Sequence, residues 1–162
     1  MPTRLLIDGY NLLKRSSVAA LFDASDVDSA RAYLLERLFE YKKEKGLRIS
    51  IVFDAPGGFS LARTKENYKG IEVVYSKQGE SADQVIIEVI RKRLSGLVVV
   101  TSDRAILDEA KRHQVAFVTP DRLEASLSGG KVESDVPRAD KKGNAHKASK
   151  RLRQARRAIK KI

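Results

Sequence analysis

Two runs constrain the fold of this chain more than anything else in it: Arg48-Ile49-Ser50-Ile51-Val52-Phe53 and Leu97-Val98-Val99-Val100-Thr101. Both are β-branched, too short for a helix and apolar on both faces, so each predicts a strand covered on two sides. Arg4-Leu5-Leu6-Ile7, Ile71-Glu72-Val73-Val74-Tyr75 and the weaker Val115-Ala116-Phe117-Val118 add three more. The segments between them have helical spacing. From Ser81 to Ser95, apolar residues fall at Ala82, Val85, Ile86, Val89, Ile90 and Leu94, and Ser81 with Gln84 has the spacing of a capping box. Val27 to Lys45 behaves alike through Ala30, Leu34, Leu38 and Tyr41, and shorter helices are expected from Arg104 to Arg112 and from Asp121 to Leu127. Ala55 to Gly70, with Pro56-Gly57-Gly58 near its start, reads as a loop holding at most a short helix. Doubly buried strands alternating with helices predict a three-layer α/β domain around a mostly parallel sheet.

With 162 residues, the chain has material for one such domain and an appendage. Its charge divides in the same way. Residues 1–130 carry 20 Lys/Arg against 18 Asp/Glu, a net +2, whereas residues 131–162 carry 12 against 3, a net +9. From Lys141 onward there are ten cations and no acid. We expect a domain over residues 1–128 and, over 129–162, a linker followed by a basic C-terminal helix. In that tail Ala145, Ala148, Leu152, Ala155, Ile159 and Ile162 form a narrow seam, which becomes helical once the core or an RNA surface covers it. Three of the six are Ala, too little apolar area to anchor in a membrane. A polycationic end beside a near-neutral domain is either a solvated tail or a grip on a polyanion, RNA or the ribosome being the preferred partner.

Several chemistries drop out. The chain has no Cys, so disulfides, thiolate nucleophiles and Cys-rich zinc sites are excluded. No G-x-x-x-x-G-K-[ST] or G-x-G-x-x-G occurs, which argues against a nucleotide cofactor, and His113 and His146 lack triad context. The N-terminus reaches Asp8 after three apolar residues, and no apolar run of 18 residues occurs. The expectation is a cytoplasmic protein with no secretory leader.

What remains is a pattern of acids. Asp8 ends the first strand, Asp54 the second, and Asp103 follows the Leu97–Thr101 run. In a parallel sheet all three emerge at the carboxyl edge, where open α/β sheets bind ligands. Asp83 falls in the first turn of the Ser81 helix with Glu80 just before it, and a parallel preceding strand delivers both to that edge. Each acid also has an ordinary reading: a turn at Asp8-Gly9, an Asx-turn at Asp54, a helix N-terminus at Asp83, an N-cap at Asp103. Together they imply a cation, because crowded carboxylates repel and raise one another's pKa unless neutralised. An all-oxygen set suits Mg²⁺ or Mn²⁺, and the chemistry such a site supports is phosphodiester hydrolysis.

The block Leu5-Leu6-Ile7-Asp8-Gly9-Tyr10-Asn11 resembles the opening strand and Asp-Gly-Tyr-Asn signature of the NYN domain, in its YacP-like branch of the PIN-like ribonuclease superfamily. Ile51-Val52-Phe53-Asp54-Ala55, Val73-Val74-Tyr75-Ser76-Lys77 continuing to Glu80-Ser81-Ala82-Asp83, and Val99-Val100-Thr101-Ser102-Asp103 agree in order and spacing, over about residues 3–130. The resemblance implies a Rossmann-like PIN/NYN fold and metal-dependent cleavage of RNA. It implies that Asp8, Asp83 and Asp103 bind the metal, with Asp54 and Glu80 auxiliary. It further implies that Asn11 orients Asp8 or reaches the phosphate, and that Ser102 holds the turn presenting Asp103. Candidate RNA contacts are Lys14, Arg15, Arg63, Lys65 and, in the tail, Lys150, Arg151, Arg153, Arg156, Arg157, Lys160 and Lys161. The expected function is a Mg²⁺- or Mn²⁺-dependent endoribonuclease acting on messenger or structured, ribosome-associated RNA. The alternatives are a catalytically silent RNA-binding module of the same fold, and a phosphatase or DNA nuclease using the same acids.

Overall fold

The structure, a computed structural model, describes residues 2–55, 60–129, 154 and 157–162. Its elements run β1 (Arg4–Asp8), α1 (Gly9–Arg15), a 3-10 turn (Ser17–Ala20), α2 (Val27–Lys45), β2 (Arg48–Phe53), β3 (Thr64–Tyr68), β4 (Ile71–Tyr75), α3 (Ala82–Arg91), β5 (Leu97–Val100), α4 (Arg104–Arg112), β6 (Ala116–Val118) and α5 (Pro120–Leu127). Local chemistry sets the helix ends. Asp26 caps α2 by accepting from the Ser29 N–H, and Gly46 closes it in the left-handed conformation, φ 65°. Ser81 and Gln84 form the expected capping box on α3.

One six-stranded sheet carries the fold, in the order β3-β4-β2-β1-β5-β6. Every pairing is parallel except that of β3 with β4. The chain builds outward from β1 through β2 to β4, then returns across the sheet to place β5 on the other side of β1. Strand order therefore reverses between β1 and β5, which makes the carboxyl ends of those two strands the switch point. Alternate residues of each strand feed two cores. Leu5, Ile7, Ile49, Ile51, Val98 and Val100 pack with α1, α2 and α5 on one face. Leu6, Val52, Val74, Leu97 and Val99 pack with α3 and α4 on the other. Three layers result, as the doubly apolar runs require.

Two features depart from expectation. The segment read as a loop contains β3, a strand of Thr64-Lys65-Glu66-Asn67-Tyr68 whose first four residues are exposed. An edge strand held by main-chain pairing has no buried face to announce it. The second is the short α1 between the first strand and the long helix, set directly behind Asp8.

Residues 157–160 are helical, and of the seam residues Ile159 and Ile162 fall within the described chain; Ala145, Ala148, Leu152 and Ala155 lie outside it. Ile159 is 3% exposed and belongs to the core cluster of α2, with Ile162 packed against that cluster. The Tyr41 hydroxyl donates to the Ile162 carbonyl at 2.7 Å. The C-terminal residues thus cover the core. Replacing a buried Ile by Ala removes its transfer energy and leaves a cavity. Ile159→Ala is expected to lower unfolding stability by about 2–5 kcal/mol in a denaturant titration. A change below about 0.5 kcal/mol would show that this packing contributes nothing.

Candidate active site

Asp8 ends β1 as a buried acid, 7% exposed. The Thr101 hydroxyl, fully buried just past β5, donates to Asp8 Oδ2 at 3.1 Å. Thr101 Oγ1 in turn accepts the Asp103 N–H at 3.0 Å, so one side chain ties together the two acids of the switch point. Asp103 N-caps α4, its Oδ1 accepting from the N–H groups of Ala105 and Ile106 at 2.9 and 3.2 Å. Asn11, one turn into α1, accepts from the Ser102 N–H and hydroxyl at 2.9 and 3.1 Å. Its side chain therefore braces the turn that presents Asp103, while the expected link to Asp8 is made by the Asn11 backbone, which hydrogen-bonds to the Asp8 carboxyl. Ser102 is held in that turn as expected.

Gly9 explains why Asp8 is followed by glycine. A Cβ there would lie 2.4 Å from the Phe53 ring and 2.8 Å from the Val52 carbonyl oxygen. Only a residue without a side chain lets α1 start this close to β2.

Asp54, at the end of β2, accepts the Ala82 N–H at 2.8 Å, which draws the first turn of α3 and its Asp83 to the same edge. The four aspartates feel one another. Burial, followed by Asp83, pushes the Asp8 carboxyl up to about 6, with Asp103 adding a smaller push against the Thr101 and Asn11 hydrogen bonds. Asp83 is also raised, first by its own burial and then by Asp103 and Asp54.

Glu80 does not join them. Arg63 grips its carboxylate through Nε, at 3.0 Å to each oxygen, and reaches Glu88 as well. That pairing holds Glu80 below the usual carboxylate range. The expectations for Glu80 as a metal ligand and for Arg63 as an RNA contact are both changed by one ion-pair network, which the unforeseen β3 creates by carrying Arg63 to the start of α3. Lys65 lies 3.7 Å from Glu72, with both side chains largely exposed. Lys14 and Arg15 are exposed at the end of α1, Arg15 standing 3.8 Å from Asp121. Arg157, Lys160 and Lys161 are exposed. Lys150, Arg151, Arg153 and Arg156 lie outside the described residues. Thr101 was not among the candidates. Its signal is a polar residue ending a run whose other members are all apolar.

Among the described residues, no three Asp, Glu or His side chains are already gathered closely enough to hold a metal ion. The donor set nevertheless fits a hard divalent cation: the groups are carboxylates, and Asp8 and Asp83 are raised first by burial and then by neighbouring acids, a repulsion that a cation would relieve. Among the described residues no helix is long and apolar enough to cross a membrane.

An open sheet with acids at its switch point, behind an Asp-Gly-Tyr-Asn strand end, defines an NYN domain of the PIN-like nuclease class. The chain belongs to the YacP-like NYN domain family, whose profile matches residues 5–162. It is 32% identical over 103 residues to protein YacP of Bacillus subtilis (strain 168), a match covering 61% of this chain and 59% of that relative's length. Crystal structures of Rae1 (YacP) from Bacillus subtilis have the same fold. One is 26% identical with a TM-score of 0.63, covering 80% of this chain and 75% of the other. A single-substitution variant of Rae1 is 23% identical with a TM-score of 0.66, covering 78% and 76%.

The raised Asp8 pKa has a thermodynamic consequence. Between pH 3.8 and about 6 the folded protein holds a proton that the unfolded chain has released, so rising pH costs stability across that window. At about 1.4 kcal/mol per unit, the ionised carboxylate costs on the order of 3 kcal/mol above pH 6. Asp8→Asn keeps an oxygen for Thr101 and removes the charge. Without divalent cations, it is expected to be more stable than the wild type at pH 7 by about 1–3 kcal/mol, a gap that closes toward pH 4. Chemical denaturation across this range measures it, and a wild type as stable as the variant at pH 7 would contradict the assignment.

Proposed function

We propose that this chain is a Mg²⁺- or Mn²⁺-dependent endoribonuclease that hydrolyses RNA phosphodiester bonds, with Asp8, Asp83 and Asp103 as the metal-binding carboxylates. The observation carrying this reading is the meeting of mutually repelling aspartates at the switch point of an otherwise apolar sheet. Family membership supports the nuclease class. When bound, the cation would supply charge stabilisation to the phosphodiester and make an attacking water more acidic.

The chain's own residues do the positioning. Thr101 fixes the Asp8 carboxylate and the Asp103 backbone together. Asn11, through Ser102, holds the Asp103 turn against α1. Asp54 acts on Asp83 indirectly, by securing the start of α3. Acids anchored in this way on three elements need little rearrangement when substrate arrives, which is where positioning lowers a barrier. Cleavage of a labelled mixed-sequence RNA is expected with Mn²⁺ or Mg²⁺, and not with EDTA or in Asp8→Asn and Asp103→Asn. DNA and a small phosphate ester, assayed alongside, should be poor substrates. RNA binding without cutting, on free RNA and on ribosome-bound message, would leave a silent binding module.

The basic end supplies the affinity that the near-neutral domain lacks. We favour folded RNA, the ribosome included, because Arg/Lys-rich segments suit phosphate-dense grooves. If six to ten of the terminal cations contact phosphates, affinity should fall by about 10³–10⁵ between roughly 50 and 200 mM salt. Deleting the tail would also remove Ile159 from the core, so neutralisation is the cleaner test. Changing Lys150, Arg151, Arg153, Arg156, Arg157, Lys160 and Lys161 to Gln should flatten the salt dependence while the fold persists. A slope equal to that of the wild type would remove this role.

A further inference from the structure

The domain is near neutral in sum, but its cations are not spread evenly over it. A groove of about 590 Å³ runs between α3 and the β3–β4 hairpin, lined by Arg4, Lys42, Arg48, Arg63, Lys65 and Lys92 against two carboxylates, Glu72 and Glu88. Three of these cations are engaged. Arg63 pairs with Glu80 and Glu88, Lys65 lies 3.7 Å from Glu72, and Lys92 lies 3.7 Å from Glu88. The side chains of Arg4, Lys42 and Arg48 form no ion pair among the described residues. Arg4 and Arg48 are registered partners at the starts of β1 and β2, so like charges stand side by side on the sheet, an arrangement that costs stability. Lys42, near the end of α2, brings its ammonium to the turn before β4, where a Cβ on Gly70 would lie 3.1 Å from Nζ. An anion laid across the three would offset their repulsion.

Burial decides which polyanion. The floor of the groove is closed, with Leu6, Val52, Val74 and Val85 each at most 5% exposed. Leu94, 41% exposed, and the half-buried Val89 are the apolar lining residues left to solvent. An anionic membrane or an acidic amphipathic helix would find little to bury there, and protein partners draw most of their binding energy from such anchors. Nucleic-acid interfaces are instead polar and strongly cationic. No aromatic ring lines the groove, so it offers no platform for the unstacked bases of a single strand. A helical nucleic acid keeps its bases stacked and presents closely spaced phosphates, which is the ligand that unpaired cations over a sealed floor can hold.

We propose that this groove is a second RNA-binding surface, in which Arg4, Lys42 and Arg48 hold the phosphates of helical RNA without regard to sequence. The proposal rests on RNA being the ligand of this domain, and it adds a grip separate from the basic C-terminal end. The floor residues belong to the core under α3 and α4, whereas Ile159 packs into the core of α2, so the two cationic surfaces lie on opposite faces of the sheet. The three residues are scattered over β1, α2 and β2, and only the parallel pairing of β1 with β2 and the turn at Gly70 bring them to one groove.

The test reads binding in EDTA, apart from cutting. Full-length protein is titrated by fluorescence anisotropy into a labelled, mixed-sequence RNA duplex of about 20 base pairs, between roughly 50 and 200 mM salt. The triple variant Arg4→Gln, Lys42→Gln, Arg48→Gln is expected to lower the slope of log affinity against log salt by about three and to weaken binding about tenfold or more at the low-salt end. Removing the same charge at exposed positions outside the groove, with Lys43→Gln, Lys111→Gln and Arg112→Gln, should leave the slope near that of the wild type. Arg48 is exposed, so Arg48→Gln alone, with an expected slope change of about one, tests the groove even where the triple variant unfolds. A slope equal to the wild type's in both groove variants overturns the proposal. So does an equal loss in the control variant, which marks net charge alone, and so does a triple variant that keeps the duplex but loses a polyglutamate peptide, which marks an acidic protein as the partner. A groove effect in a protein that cuts no RNA with Mn²⁺ would sink the nuclease reading and leave the groove standing, and metal-dependent cutting without a groove effect would do the reverse.

Discussion

The buried Thr101 hydroxyl is the contact on which the carboxylate edge depends. It donates to Asp8 and receives the Asp103 N–H, so it closes the gap between two strands at the point where the sheet reverses its order. A Val there would fill the same space and suit the strand. It would also leave a buried carboxylate and a buried N–H without their partner, each a cost of about 1–3 kcal/mol. Asn11 repeats the logic one layer out, joining α1 to the same turn through Ser102. Between them, these two side chains fix an acid on each side of the switch point before any ligand is present.

Such a site works against the fold that carries it. Asp8 is forced into an apolar setting beside other acids, and its raised pKa expresses that penalty. What offsets the penalty is the sheet itself. Leu5, Ile7, Ile51, Val98 and Val100 are sealed by α1, α2 and α5, while Leu6, Val52 and Val99 are sealed by α3 and α4. The acids lie at strand ends, where the chain leaves the core, so each strand keeps its full apolar length. A cation that neutralised the edge would stabilise the fold and equip it chemically in one step, which is why metal affinity and stability should be linked here.

The parts of this protein legible in its sequence are those whose physics is local. Leu97–Val100 could only be a doubly buried strand, and Ser81 with Gln84 announced the start of α3 through a cap made within four residues. With parallel strands established, the placing of Asp8, Asp54, Asp83 and Asp103 along one edge of the sheet followed from their positions at strand and helix ends. What was hidden depends on pairing between distant segments. The β3 strand is exposed for most of its length and exists because its main chain bonds to β4. That single pairing sets Arg63 against Glu80 in an ion pair, where the sequence suggested a metal ligand and an RNA contact. The packing of Arg31 is hidden for a related reason: the rings it lies over come from two strands, not from its neighbours along α2.

The C-terminal end ties affinity to architecture. Ile159 and Ile162 enter the α2 core, and Lys160 then lines a groove shared with Glu36, Glu40 and Glu44, a stripe of acids at four-residue spacing along α2. Charges this close act within one Debye length, so the acids weaken the field that Lys160 presents to a polyanion. Lys160 partly balances the domain's own acids, so the proposed salt dependence would correspond to fewer than ten phosphates. The same packing places residues 157–162 on the domain that carries the carboxylate edge. A polyanion bound there, as proposed, would be held at a bounded distance from the acids, which would raise its effective concentration at the edge.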